Sequence, residues 1–123
     1  MGIRVLVVDD DALVRELLRR VLSDTEVRSV ATAQEGMEIA SEWLPHVAVV
    51  DVRLARSSGL HLIAPLRQAS PGIVVVVLTA HPNPVDEARA LRDGAYCYAQ
   101  KTEAQRVRQL VLGALAYREG QLH

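Results

Sequence analysis

The sequence has one cysteine, no excess of either charge and no long apolar run, and each shortage removes a class of function. Cys97 has no partner in the chain for a disulfide, which fits a reducing compartment. Fourteen basic residues against fifteen acidic ones give a formal net charge of -1, so no global field draws the protein toward nucleic acid or an anionic membrane. No stretch approaches the length of a membrane span. The N-terminus also reaches the charged Asp9-Asp10-Asp11 run too soon to build a signal-peptide core. The four histidines lack the spacing of a zinc site and receive no ligand role. The expectation is a cytoplasmic protein that contacts neither membrane nor DNA directly.

What is present suits one compact core: 123 residues, half of them hydrophobic, read as a single domain over 1–123 with a frayed tail after about Arg118. Five short apolar runs alternate with five amphipathic stretches, the pattern of an α/β fold with a parallel sheet and helices on both faces. Ile3 to Val8, His46 to Val50 and Ile73 to Leu78 are near-continuous and valine-rich, as strands buried on both faces should be. Val27 to Ala31 and Ala95 to Ala99 are less apolar and are expected nearer the sheet edges.

Leu13, Val14, Leu17, Leu18, Val21 and Leu22 repeat at helical spacing, as do Val107, Leu110, Val111, Ala114 and Leu115. Thr32 with Glu35 and Thr102 with Gln105 predict capping boxes, Asn83 before Pro84 and Asp86 marks a third helix start, and Gly94 a stop. Pro65 falls inside the helix expected over 58–69 and predicts a kink. Met37, Trp43 and Cys97 read as packing residues, and Arg15, Arg19 and Arg20 as a solvated basic face.

In an open α/β sheet, ligands bind beyond the carboxyl ends of the strands. The first run there ends in Asp9 and Asp10, the third in Asp51, the fourth in Thr79, and Lys101 follows the fifth. Either Asp10 or Asp11 taken alone would more often be a helix cap than a ligand. Three carboxylates gathered on one edge, however, repel one another unless a cation lies among them, and all-oxygen donors favour a hard ion such as magnesium or manganese.

These residues resemble the receiver domains of two-component response regulators, over nearly the whole chain. Val7-Val8-Asp9-Asp10 looks like the family's metal-binding pair, and Val49-Val50-Asp51-Val52-Arg53-Leu54 like the strand end carrying its phosphoacceptor, with Gly59 at the expected distance. Thr79-Ala80 resembles the switch hydroxyl and its small neighbour; Tyr98 and Lys101 resemble the switch aromatic and the essential lysine. The resemblance implies a flavodoxin/CheY-like (βα)5 fold with strand order 2-1-3-4-5. It also implies magnesium or manganese held by Asp10, Asp51 and the backbone carbonyl of Arg53, with Asp9 acting through water. Asp51 would take a phosphoryl group from a sensor histidine kinase or a histidine phosphotransfer protein, with Lys101 and Thr79 binding its oxygens. Arg53 and His81 side chains would tune its loss, and Tyr98 would follow Thr79.

The signalled surface would be the fourth helix, fifth strand and fifth helix, carrying Asp86, Glu87, Arg89, Arg92, Asp93, Arg106 and Arg108 and open to a homodimer. The chain could belong to a longer regulator with an output domain, often DNA-binding. Two positions depart from the family: Ala55 and Thr102 stand where prolines are common, so a trans Lys101-Thr102 peptide is expected. The alternatives are a receiver-like interaction module that works without phosphorylation and a small magnesium-dependent phosphohydrolase, for whose pocket and cap the chain leaves little room. A nucleotide-binding Rossmann enzyme is disfavoured because acids occupy the turn where glycines would be needed.

Overall fold

The computed structural model describes residues 2–101 and 104–122. Its strands are β1 (Arg4–Val8), β2 (Glu26–Val30), β3 (Val47–Asp51), β4 (Arg53–Leu54), β5 (Ser57–Ser58), β6 (Val74–Thr79) and β7 (Cys97–Gln100). Its helices are α1 (Ala12–Val21), α2 (Ala33–Trp43), α3 (Ile63–Ala69), α4 (Pro84–Arg92) and α5 (Ala104–Leu122). Five strands form one parallel sheet in the order β2-β1-β3-β6-β7. With the short β4-β5 hairpin set aside, this is the expected order 2-1-3-4-5 of a flavodoxin-like fold.

The valine runs explain the layering, because successive side chains of a strand point to opposite faces. Leu6, Val8, Ala48, Val50, Val75 and Val77 pack on the face that also holds Ala40, Ile63, Leu66 and Ala90. Val5, Val7, Val47, Val49, Val74 and Val76 pack on the other, against Leu18, Leu22, Val107, Val111 and Ala114. Strands β3 and β6 are buried at every residue, whereas β2 and β7 are half-exposed, as edge strands should be.

Helix ends follow the local chemistry. The Asp11 carboxylate accepts the Leu13 N–H, Thr32 Oγ1 that of Glu35, and Asn83 Oδ1 that of Asp86, each closing a donor that the first turn leaves open. Gly94 ends α4 with φ at +103°, a conformation open to glycine. Leu44 takes the left-handed conformation after α2, and the Arg4 guanidinium donates to its carbonyl at 2.9 and 3.2 Å.

The structure corrects or refines the sequence reading in four places. The helix expected over 58–69 is a 3-10 turn, Gly59–Leu62, followed by α3, and Pro65 lies in the first turn of α3, where the N–H it lacks is not needed. The α5 helix is described through Leu122. Arg118 donates to the Gly72 carbonyl at 2.9 Å, and the Tyr117 and Tyr96 rings sit 5.1 Å apart, so the helix is anchored as far as Arg118. Arg108 faces α1 and not the α4 surface, gripping Asp24 with two hydrogen bonds and the Val21 carbonyl with a third. Leu13 and Leu17 remain 67% and 43% exposed, because only Leu18 and Leu22 of the α1 stripe are fully covered. The Lys101-Thr102 peptide and the Thr102 cap lie outside the described residues. Among the described residues, no helix is long and apolar enough to cross a membrane.

Candidate functional site

The residues singled out at the strand ends converge. Asp9 follows β1, with its N–H bonded to the Val30 carbonyl at 3.1 Å, while Asp51 and Thr79 are the last residues of β3 and β6. One carboxylate oxygen from each of Asp9, Asp10 and Asp51 lies within 4.8 Å of the others. Asp9 and Asp51 are buried, and Asp10 is exposed.

Lys101 enters this group just beyond β7, where its backbone N–H is held by the Thr79 carbonyl at 2.7 Å. Its ammonium donates to Asp51 Oδ2 at 3.1 Å and lies 2.7 Å from Asp9 Oδ2. Burial, with the charge of Asp9 beside it, raises the pKa of Asp51, although the hydrogen bond and charge of Lys101 pull it down. Burial also weighs against the Lys101 ammonium, but the hydrogen bonds and charges of Asp9 and Asp51 outweigh it and raise its pKa.

One ammonium therefore pairs with two of the three clustered carboxylates, and among the described residues no hydrogen bond or ion pair reaches the third, that of Asp10. A hard divalent cation with oxygen ligands fits that donor set. Asp11, the third acid of the run, is spent as the α1 cap.

The backbone around Asp51 is tightly set. Its Oδ1 accepts the Arg53 N–H at 3.3 Å, the Val52 N–H bonds the Leu78 carbonyl at 3.0 Å, and the Gly59 N–H bonds the Val52 carbonyl at 2.8 Å. A Cβ on Gly59 would collide with the Asp51 carbonyl oxygen and with Val50 Cγ1. The spacing from Asp51 to Gly59 thus has a steric cause, the return of the β4-β5 hairpin onto the end of β3.

Thr79 Oγ1 accepts the His81 N–H at 3.1 Å and keeps its own proton to donate. The His81 and Arg53 side chains are exposed at the rim. Tyr98 packs its ring partly against the core and accepts the Asn83 N–H at 3.1 Å.

Sequence reasoning missed one neighbour. Arg15 was read as part of a solvated face, yet its guanidinium donates to the Asp9 carbonyl at 2.8 Å. Its place four residues after the Asp11 cap is the signal that could have found it.

Residues 5–112 match the family described as the response regulator receiver domain. The response regulator MprA of Mycolicibacterium vanbaalenii is 41% identical over 105 residues, covering 82% of this chain and 45% of that protein, so the chain spans less than half of this relative's length. A CheY-like receiver domain from Methanospirillum hungatei superposes with a TM-score of 0.92 at 22% identity, covering 98% of this chain and 99% of that one, which bears on the fold alone. A response regulator from Burkholderia pseudomallei superposes with a TM-score of 0.82 at 30% identity, over 91% of this chain and 65% of that one, and its structure carries a phosphorylated aspartic acid, a calcium ion and citrate. With the parallel sheet in the expected order and the acids gathered at its carboxyl edge, this chain belongs to the response regulator receiver domains, the signalling switches of two-component systems.

Proposed function

We propose that Asp51 is the phosphoacceptor of this receiver and takes its phosphoryl group from the phosphohistidine of a sensor histidine kinase or a histidine phosphotransfer protein. The observation that carries this reading is the Asp51 carboxylate at the end of β3, 3.1 Å from the Lys101 ammonium and grouped with Asp9 and Asp10. An Asp51 oxygen attacks phosphorus, a P–O bond forms as the P–N bond breaks, and the donor imidazole, protonated on its other ring nitrogen, takes the P–N electron pair and leaves neutral. Lys101 swings its ammonium from Asp51 to the arriving phosphoryl oxygens, and the free Thr79 proton bonds another.

Asp10, Asp51 and the Arg53 backbone carbonyl would hold magnesium or manganese, with Asp9 acting through water. The bound ion would supply neutralising charge for the phosphoryl oxygens. Arg53 and His81, exposed at the rim, stand where they can admit or obstruct the water that removes the phosphoryl group. The Mg-dependent phosphorylation makes the domain a switch that promotes its own modification rather than an enzyme with an external product.

The added charge, about -2, draws Thr79 toward the phosphoryl group and frees space for Tyr98, which signals to the face of α4, β7 and α5. That face is the proposed homodimer contact, and sedimentation with and without a phosphoryl mimic tests it. The domain would work in the cytoplasm as part of a longer regulator whose output domain, often a DNA binder, acts downstream.

The test of the acceptor is intact mass after incubation with acetyl phosphate. A single phosphoryl adduct that requires magnesium and is lost in Asp51→Asn supports the reading. No adduct on the wild type, with rapid turnover excluded by quenching at short times, would favour an interaction module that works without phosphorylation.

A further inference from the structure

We infer that Arg15 is a positioning residue for the divalent-cation site, acting through the peptide that joins Asp9 to Asp10; this deepens the phosphoacceptor reading and rests on it. The guanidinium, half-buried on α1, donates from Nη1 to the Asp9 carbonyl at 2.8 Å. That carbonyl belongs to the one peptide plane linking the two acids, so fixing it restrains the backbone from which the Asp10 side chain leaves. The Asp9 side chain is held independently, by the Asp11 N–H at 2.9 Å and by the Lys101 ammonium at 2.7 Å. Asp10 has no such support: among the described residues nothing bonds its carboxylate, and its oxygen nevertheless lies within 4.8 Å of those of Asp9 and Asp51. Its place in the cluster is therefore set by the backbone, and Arg15 grips that backbone. Because Arg15 bonds a carbonyl and not a carboxylate, it brings a positive charge to the acids while leaving their oxygens open to a cation.

The test is magnesium binding measured by titration calorimetry on the unphosphorylated protein, with the thermal midpoint in EDTA recorded alongside. Arg15→Met keeps the packed stem and removes the donor, and its magnesium affinity should fall about 10- to 100-fold, the usual cost of losing a group that orients a metal ligand. Its phosphorylation by acetyl phosphate should recover toward the wild-type rate at saturating magnesium. Arg15→Lys, which restores a cationic donor to the same carbonyl, should bind within about threefold of the wild type. Wild-type affinity in a folded Arg15→Met overturns the inference, as does a lower midpoint in EDTA with unchanged affinity. Should Arg15→Met fail to fold, Arg15→Lys decides alone, and a large loss of affinity in it counts against the inference. A wild type that binds no magnesium overturns both this role and the reading on which it rests.

Discussion

The hydroxyl of Tyr98 accepts the backbone N–H of Asn83 across 3.1 Å, which ties β7 to the cap of α4. If Tyr98 turns inward on phosphorylation, as proposed, it must release that N–H, and the bond would then favour the resting position. Tyr98→Phe removes the acceptor and keeps the ring. It should cost about 1 kcal/mol of stability or less, the net worth of one hydrogen bond near the surface. Amide exchange at the first turn of α4 should quicken while β6 stays protected; unchanged exchange there would show that Tyr98 does not anchor the helix.

Gly59→Ala should destabilise the fold by about 1–3 kcal/mol, because the added methyl meets the Asp51 carbonyl oxygen and Val50 Cγ1 and backbone must shift to admit it. The shift falls on the proposed acceptor, so phosphorylation should slow as well. Urea unfolding measures the first effect and adduct formation the second. A variant as stable as the wild type would mean that the hairpin yields more readily than its packing suggests.

Magnesium at about tenfold its dissociation constant should stabilise the wild type by about 1.4 kcal/mol, and EDTA should abolish the gain. Asp10→Asn should behave in the opposite way. It removes a carboxylate that repels two neighbours, so its midpoint in EDTA should equal or exceed that of the wild type, while magnesium should raise it little. Calorimetric scans of both proteins with and without the ion give the four midpoints, and an equal magnesium gain in the two would remove Asp10 from the site.

His46 makes stability depend on pH at the opposite end of the sheet. Its Nδ1 accepts the Arg4 N–H at 2.9 Å, which only an unprotonated nitrogen can do. Burial, then the positive charges of Arg4 and Arg118, depress its pKa against the opposing charges of Glu119 and Glu26. The unfolded chain therefore takes up the proton first as pH falls below about 6.5, and the stability present above that value is lost as pH drops through the lower folded value. His46→Asn offers a side-chain oxygen to the same N–H and does not titrate. Its midpoint should vary less than that of the wild type between pH 7.5 and 5.5, roughly the window around the ordinary histidine pKa, and parallel curves would assign the dependence to other groups.

The sheet was legible in the sequence because strands buried on both faces leave a plain trace: the valine runs before Asp9, Asp51 and Thr79 could satisfy neither a helix stripe nor a half-solvated strand. The gathering of Asp9, Asp10, Asp51, Thr79 and Lys101 followed from it, since every residue that ends a parallel strand arrives at the same edge. The β4-β5 hairpin was not legible, because Arg53 to Ser58 has neither alternation nor a two-residue glycine turn, and its shape depends on Gly59 meeting the end of β3. Pro65 misled for a related reason: where the α-helix begins is set by the preceding 3-10 turn, which periodicity does not mark. The bond of Arg15 to the Asp9 carbonyl escaped, as did that of Tyr98 to the Asn83 N–H, because the sequence does not say which backbone group will lie within reach.

The ion pair between Asp51 and Lys101 joins residues 50 positions apart in the chain, and the second of them follows the last strand of the sheet. During synthesis the acids emerge first, and a nascent chain carries the proposed acceptor well before it owns the ammonium or the strand that delivers it. Such a chain would present its carboxylates without the ammonium that orients them. On the proposed function, competence to receive the signal would arrive only with the final strand, and a half-made copy would stay silent and draw no phosphoryl groups away from finished molecules.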